Sequence, residues 1–428
     1  MNQRDLSSLL FIDQVNPEEL SQVVLESLGT AAYESESEDI FHHPGQPPAL
    51  HFVFAEDRLR TVKARPGLSV EDITNIQAKI RNDLLNLDKK ITVRMVLFSA
   101  YPLTGHMRVV DSIQICPVPG HAPRPNDPTE GDNPFLIEFD VFDSPNLTIR
   151  MNRIYSHAKK LSLFLGVIVE RRVMFPSTSS HFRWVTRADP KSPYEHMLEG
   201  YSYDQFKRQQ DCFTDCNDVP PLELVEDKKY FKRVGYEGGR SLQLPNLFDQ
   251  LLNIFLRLKP PHQDKFLRAA YWYSIALAQE SDSARFLHLI QCIEALLPRA
   301  GWEQKCPTCR RQVGKSRTQR FTEFLDELVP HKQKLARATK RIYKLRSDLS
   351  HGWDIYGRDF LRSFTPKSAD QVLQTYDSYQ LARFALINWL LLIGLTPKRT
   401  TSRRSWVRGR PRQGREGSGR PPSGCVDG

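Results

Sequence analysis

Apolar residues in the first half of the chain follow the periods of strands and, in one place, of a helix. In FLIEFDVF, residues 135–142, they occupy every second position, and Glu138 and Asp140 lie on the other side, which predicts a strand. HFVFA (51–55) and ITVRMVLFSAY (91–101) are rich in β-branched and aromatic residues and predict two more strands. Residues 1–250 are therefore predicted to form a mixed α/β region.

A helix is predicted between the strands at residues 51–55 and 91–101. In SVEDITNIQAKIRNDLLNL, residues 69–87, isoleucine and leucine recur at steps of three and four, which is typical of an amphipathic helix. Ser69 is placed as its cap and Asp72 follows three residues later, close to a capping box. This region carries no phosphate loop or dinucleotide fingerprint, and we leave its role unassigned, with sensing or regulation as the expectation.

After about residue 245 the pattern is helical throughout. Five amphipathic stretches with mostly short connections predict a helical bundle over residues 255–396. The stretches are HQDKFLRAAYWYSIALAQES, SARFLHLIQCIEALL, RTQRFTEFLDELVP, HKQKLARATKRIYKLRSDLSHG and SADQVLQTYDSYQLARFALINWLLLIGL. The fold class is thus α+β and multidomain, a mixed region followed by an all-α bundle.

Charge and composition separate a third segment. The net charge is +10, but residues 397–428 hold nine basic against two acidic residues, so only +3 belongs to the rest of the chain. This Arg-, Gly- and Pro-rich tail has too few apolar residues to bury a core, so it is predicted to be disordered. Two roles stay open for it, a solubilising tail and an RNA-holding one.

The first twenty residues and the length of the apolar runs suggest a cytoplasmic protein without a membrane span. The first twenty residues show no secretory pattern, and the longest apolar run, residues 384–395, is shorter than the roughly 20 residues of a membrane span. We expect it to be a buried final helix.

The fourth helical stretch contains the most informative motif. Leu335, Ala338, Ile342, Leu345 and Leu349 form an apolar stripe. Arg346 lies at the edge of that stripe, and His351 comes where Gly352 can end the helix. Five residues correspond to about 7.5 Å along a helix, so the two side chains would flank a groove at the helix end. The spacing alone is weak, because Arg257 and His262 repeat it across two prolines, which forbid a continuous helix.

Glu294 points to the same place. It shares a helix face with Leu287, Ile290 and Leu297, and a carboxylate on an apolar face needs a partner. Arg346 or His351 is the expected partner. One interpretation is structural: Glu294 and Arg346 form an ion pair that holds the fold, and His351 interacts with the last helix carbonyls.

The combination of motifs resembles a known family. IQCIEALL, a cysteine-bearing insertion and then RIYKLRSDLSHG are similar to the ApeA-like branch of the HEPN superfamily, over roughly residues 255–396. The resemblance implies a metal-independent endoribonuclease that works as a homodimer and cuts RNA, with tRNA as one candidate, as a toxic effector in bacterial anti-phage defence. It also implies that catalysis needs no cofactor.

Roles for individual residues come with that resemblance. His351 would be the general acid and base in the attack of a ribose 2′-hydroxyl on the adjacent phosphate, and Arg346 would hold that phosphate. These roles suit an imidazole that titrates near neutral pH and a guanidinium that binds phosphate oxygens in a fork. Many nuclease members have Asn, Asp or His after the arginine, whereas here Ser347 follows and Asp348 comes one position later. We name Glu294, Ser347 and Asp348 as supporting residues.

Basic residues flank the motif. Lys340, Arg341 and Lys344, together with Lys332, Lys334 and Arg337, would hold the RNA backbone, although a solvated helix face explains the same charges. The alternative function is a non-catalytic HEPN module that dimerises or binds a nucleotide or a partner.

Two cysteine pairs suggest a structural zinc. Cys306 and Cys309 form a CPTC knuckle, and Cys212 and Cys216 stand about ninety residues upstream. Because a structural zinc site needs four ligands, the two pairs would have to meet in space. The alternative is free thiols in both places.

Overall fold

Strands and helices alternate along the first part of the chain, and helices alone follow. The computed structural model describes residues 5–35, 38–55, 58–87, 89–120, 122–125, 133–174, 184–186, 196–198, 209–210, 212–232, 241–298, 316–329, 333–356, 359 and 366–395. Within them the last strand ends at Pro245, and the helical part begins at Phe248. The predicted mixed α/β fold with a helical C-terminal region is confirmed. The tail, residues 397–428, lies outside the described residues.

The first sheet is a four-stranded antiparallel meander. Its strands are β1 (Thr30–Ser35), β2 (Glu38–His42), β3 (Leu50–Ala55) and β4 (Arg58–Ala64), paired in that order. Helices α1 (Pro17–Leu28) and α2 (Val70–Lys79) share a hydrophobic core with it. The capping box of Ser69 and Asp72 is present at the start of α2, as the sequence predicts. A π-helical turn, Ile80–Leu85, continues α2.

Longer strands form a second sheet. The remaining strands are β5 (Lys90–Ser99), β6 (Met107–Val109), β7 (Ile113–Pro117), β8 (Arg124–Pro125), β9 (Asn133–Phe142), β10 (Trp184–Thr186), β11 (His196–Leu198), β12 (Gln209–Gln210), β13 (Leu224–Val225) and β14 (Leu244–Pro245). The order β12-β5-β9-β7-β6 makes the second sheet, β11-β10-β8 a third, and β13 pairs with β14. The predicted strands at 51–55, 91–101 and 135–142 correspond to β3, β5 and β9.

Both faces of β9 are buried. Phe135, Ile137 and Phe139 lie in the main core, as their alternation predicts. Glu138 points to the opposite face yet is fully buried, because the segment around Thr214 covers it. Its carboxylate accepts hydrogen bonds from Arg94 Nε at 2.6 Å and from the Thr214 main-chain N–H at 2.8 Å.

The longest helix of the first half was not predicted. Helix α3 (Leu147–Val169) packs against β9 and against the helical part. The ring of Phe164 lies 5.0 Å from that of Phe255 and 6.3 Å from that of Phe266. These contacts bring α3 into one core with residues of the predicted bundle.

Within its described residues, the helical part contains the five predicted helices and one more, α5 (Phe248–Arg257). After α4 (Asp227–Lys232) and α5 come α6 (Pro260–Ala278), α7 (Asp282–Ala295), α8 (Arg317–Leu328), α9 (Gln333–Ser350) and α10 (Pro366–Leu395). The two prolines separate α5 from α6, so Arg257 and His262 do not share a helix, as predicted. One buried cluster runs from Val93 to Leu390, and Met1–Gly394 pack as one compact unit. The boundary at residues 250–255 stays a prediction.

The final helix is both long and apolar. Among the described residues, Leu373–Leu395 is the one helical segment that is long and apolar enough to cross a membrane, and half of it is buried within the protein. Ala385, Leu386 and Leu390 are fully buried, as expected for a core helix.

Candidate functional site

Helix α9 ends at the predicted motif in a defined turn. The Gly352 N–H donates to the Leu349 carbonyl at 3.1 Å, and the Trp353 N–H donates to the Asp348 carbonyl at 2.9 Å. Gly352 has φ +73°, the left-handed conformation that this type of helix end requires and glycine adopts without strain. His351 therefore directly follows the last residue of α9, and the main chain of its neighbours holds it in place.

His351 is open to solvent. It is exposed, and its ring lies 4.9 Å from the ring of Trp353, tilted by 30°. Trp353 is itself 76% exposed, so it stands beside the histidine and does not cover it. Among the described residues, the ring nitrogens of His351 have no hydrogen-bond partner, which leaves them available to a ligand.

Arg346 contacts the predicted carboxylate. Its Nη2 donates to Oε2 of Glu294 at 3.2 Å, and the two side chains are 28% and 18% exposed. The guanidinium carbon also lies 6.0 Å from the centre of the Tyr343 ring, within the range of a cation–π contact. The structure thus brings Arg346 and Glu294 together, with Arg346 still partly open to solvent.

The segment after His351 is anchored to the start of α7. The Asp359 carboxylate accepts hydrogen bonds from the main-chain N–H groups of Asp282 and Ser283, at 2.7 and 2.8 Å, and from the Ser281 hydroxyl at 2.9 Å. Burial raises the pKa of Asp359, but the hydrogen bonds from Ser283, Asp282 and Ser281 outweigh it, so the pKa is lowered. Asp359 thereby caps the helix that carries Glu294.

Sequence reasoning missed Asp359 and the role of Tyr356. The Tyr356 N–H donates to the Ser283 hydroxyl at 2.9 Å, and its buried ring lies 5.8 Å from that of Phe286. The available signal was Ser281, Asp282 and Ser283 at the start of α7, which indicates a local cap. The second cap comes from more than seventy residues away, and local sequence does not reveal it.

The other supporting residues contribute through their main chain. The Ser347 carbonyl accepts from the His351 N–H at 3.1 Å, and the Asp348 carbonyl accepts from Trp353 and Asp354. Both residues are half-buried. Any direct part of their side chains in catalysis stays a prediction.

The basic flank is only partly described. Lys344 is exposed, and Arg341 is exposed and lies 3.2 Å from Asp370 of α10. The side chain of Lys340, like those of Lys334 and Arg337, is outside the described residues, and so is Lys332. The RNA-binding role of Lys340, Arg341 and Lys344 stays a prediction.

Of the two cysteine pairs that suggested a zinc site, the structure describes only Cys212 and Cys216. Cys212 is exposed, whereas Cys216 is buried beside Cys116 and Leu136. Gln114 Nε2 donates to Cys216 Sγ at 3.3 Å, and burial raises the pKa of the Cys216 thiol. Cys306 and Cys309 lie outside the described residues. Within the described part of the chain, no group of three or more His, Cys, Asp or Glu could hold a metal ion, and the zinc hypothesis stays a prediction.

Comparisons with known proteins add no relative. Neither family models, nor curated proteins, nor solved structures give a match to this chain.

Proposed function

We propose that the chain is a metal-independent endoribonuclease of the HEPN type. The observation that carries the proposal is the exposed imidazole of His351, held at a helix end five residues after a guanidinium that is still partly open to solvent. An exposed imidazole can exchange protons with a reacting hydroxyl. A guanidinium close to it can bind the phosphate at which negative charge develops.

In this proposal the residues divide the work between proton transfer and charge stabilisation. His351 takes the proton of the ribose 2′-hydroxyl as that oxygen attacks phosphorus, and a proton is returned to the leaving 5′-oxygen. The products are a 2′,3′-cyclic phosphate and a 5′-hydroxyl. Arg346 binds the non-bridging phosphate oxygens, and Glu294 orients its guanidinium through the donor on Nη2. Lys344 and Arg341 offer exposed charge for the RNA backbone.

The wider setting is proposed from the same resemblance. The enzyme would act as a homodimer in which two Arg346 and His351 pairs face one RNA, with tRNA as a candidate substrate. It would be a cytoplasmic effector of anti-phage defence, with residues 1–250 sensing or regulating. Structural zinc would be separate from catalysis.

A second function is favoured by one contact. Because Arg346 already pairs with Glu294, the motif can also be a fold-stabilising element of a non-catalytic module that dimerises or binds a nucleotide. In that case the removal of His351 would change no RNA-cleaving activity.

The experiment is RNA cleavage by the full chain and by His351→Ala, with tRNA and total RNA, in the presence of EDTA. We expect cyclic phosphate ends from the wild type and a loss of at least about a hundredfold in the variant, the usual scale for removing a general acid or base.

His262→Ala is the matched control, because Arg257 and His262 have the same spacing outside a continuous helix. It should cut like the wild type. Equal cutting by His351→Ala would refute the nuclease proposal, and no cutting by a folded wild-type dimer would favour the binding module.

A further inference from the structure

A cavity of about 430 Å³ lies in the first half of the chain, among residues to which the proposed nuclease assigns no role. One wall is the face of α3 that carries Arg153, His157 and Lys160. The opposite wall is the first turn of α1, with Glu18 and Glu19, and the end of β9 completes it. This volume is in the range of small-molecule sites in proteins.

Two charged groups of the cavity are held in place. Arg153 forms a two-point ion pair with Glu19, from Nε at 2.8 Å and from Nη2 at 2.7 Å. Asp140 accepts a hydrogen bond from the Thr92 hydroxyl at 2.8 Å. The pair of Arg153 and Glu19 therefore links α3 to α1, and the hydrogen bond of Asp140 lies within the second sheet.

Other polar groups of the cavity are left without partners. Among the described residues, neither the ammonium group of Lys160 nor the carboxylate of Glu18 has an ion-pair or hydrogen-bond partner. The imidazole of His157 packs on Phe139, 4.9 Å between ring centres, and no hydrogen bond to its nitrogens is made within the described residues. Burial, and to a smaller extent the charge of Lys160, lowers the pKa of His157 to about 4. At neutral pH it is an uncharged donor and acceptor.

The cavity also has apolar lining. Leu84 lies in the π-helical turn and Leu87 two residues after it, and Val141 and Phe142 come from the end of β9. Phe142 is 39% exposed and Leu87 42%. The Lys90 ammonium lies 5.3 Å from the centre of the Phe142 ring, so Leu87 and the part of Phe142 that Lys90 does not cover present apolar surface to a ligand. Among the described residues that line the cavity, a single molecule would meet Lys160 as a cation without a partner, the carboxylates of Glu18 and Asp140, and an apolar wall.

We propose that this cavity binds a small zwitterion of the amino-acid or dipeptide class with an apolar side chain. The ligand carboxylate pairs with Lys160, and its ammonium group pairs with Glu18 and Asp140. The apolar side chain lies on Phe142 and Leu87. A phosphate-bearing ligand fits less well, because after the pairing of Arg153 with Glu19 the remaining carboxylates outnumber the remaining cation.

The test uses the full chain and ligand-observed NMR with a mixture of the twenty free amino acids, and separately with leucyl-leucine and phenylalanyl-leucine. Each molecule that gives a signal is then titrated by calorimetry. We expect binding by at least one apolar amino acid or dipeptide, and a loss of tenfold or more when its amine is acetylated or its carboxylate is amidated.

Variants decide whether the binding occurs in this cavity. Lys160→Met and Glu18→Gln should each weaken the affinity tenfold or more, because each removes about as much binding free energy as one charge-assisted hydrogen bond contributes. Lys159→Met is the matched control, because Lys159 is exposed on the same helix and does not line the cavity. Binding that is unchanged in Lys160→Met would overturn the proposal. So would the absence of any amino-acid or dipeptide signal. Because no residue of α9 is involved, these results do not depend on RNA cleavage.

Discussion

Two arginine–carboxylate pairs in the helical part show how burial separates a structural role from a candidate chemical one. Arg383 of α10 is 1% exposed and pairs with Glu170, just after α3, at 3.0 Å. Its Nε and Nη2 donate to the carbonyls of Val167 and Ile168 at 3.2 and 2.5 Å. Each of its three guanidinium nitrogens is therefore engaged in capping the end of α3.

The pair of Arg346 and Glu294 is less buried, and fewer nitrogens of its arginine make described hydrogen bonds. Both side chains retain solvent contact, and one guanidinium nitrogen of Arg346 makes the described hydrogen bond. Within the described part of the chain, the other donors of Arg346 have no hydrogen-bond partner. The same two residue types thus hold the fold together where all donors are used, and leave room for chemistry where they are not.

The largest effect is expected from Arg383→Met. It removes the buried ion-pair partner of the Glu170 carboxylate, which keeps a hydrogen bond from Gln380, and breaking a buried ion pair in this way destabilises by about 3–5 kcal/mol. Urea unfolding of the full chain measures the difference. A loss below about 1 kcal/mol would show that the two arginine pairs do not differ as the burial indicates.

Part of the stability loss in Arg383→Met should depend on pH, which tests whether the loss arises from the Glu170 carboxylate. Burial raises the pKa of Glu170, and the charges of Arg383 and Arg171 partly counter it. Without Arg383 the folded-state pKa rises further above the unfolded value. A raised folded pKa contributes stability at low pH, which is lost as the pH rises through that pKa.

The deficit of Arg383→Met relative to the wild type should therefore shrink from about pH 8 to about pH 5, by about 1.4 kcal/mol for each further unit of pKa elevation. Urea unfolding of both proteins at the two pH values measures it. A deficit that grows on acidification would contradict the assignment to Glu170.

The smallest effect on stability is expected from Arg346→Met. The pair with Glu294 is partly solvated, and such pairs contribute about 0–1 kcal/mol. Unfolding should change by less than about 1 kcal/mol, while RNA cleavage falls by about a hundredfold or more if Arg346 stabilises the developing charge. Strong destabilisation would instead identify the pair as a structural element.

Local patterns predicted the local features well. The capping box at Ser69, the separation of α5 from α6 by two prolines and the helix end at Gly352 each depend on a few neighbouring residues, and each is present. Helix α3 escaped prediction because its second half is buried on all sides. An apolar run without polar positions has no periodicity from which a helix can be distinguished.

Charged residues in the core were equally hard to place. Glu138 alternates with apolar residues like a solvent-facing residue, and Arg383 interrupts an apolar helix, yet both are buried. Their partners Arg94 and Glu170 are 44 and 213 residues away. No local pattern records such a distant contact.

The sequence by itself determined that a mixed α/β part precedes a helical part, the place where α9 ends and the types of residue at that end, because the periodicity, hydrogen bonding and backbone conformation involved depend on residues a few positions apart. Only the tertiary structure decided which charged side chains are buried and which are exposed to solvent. Arg383 is buried and His351 is exposed because of which distant segments of the chain pack over each of them, and the packing of the whole core sets where those segments lie.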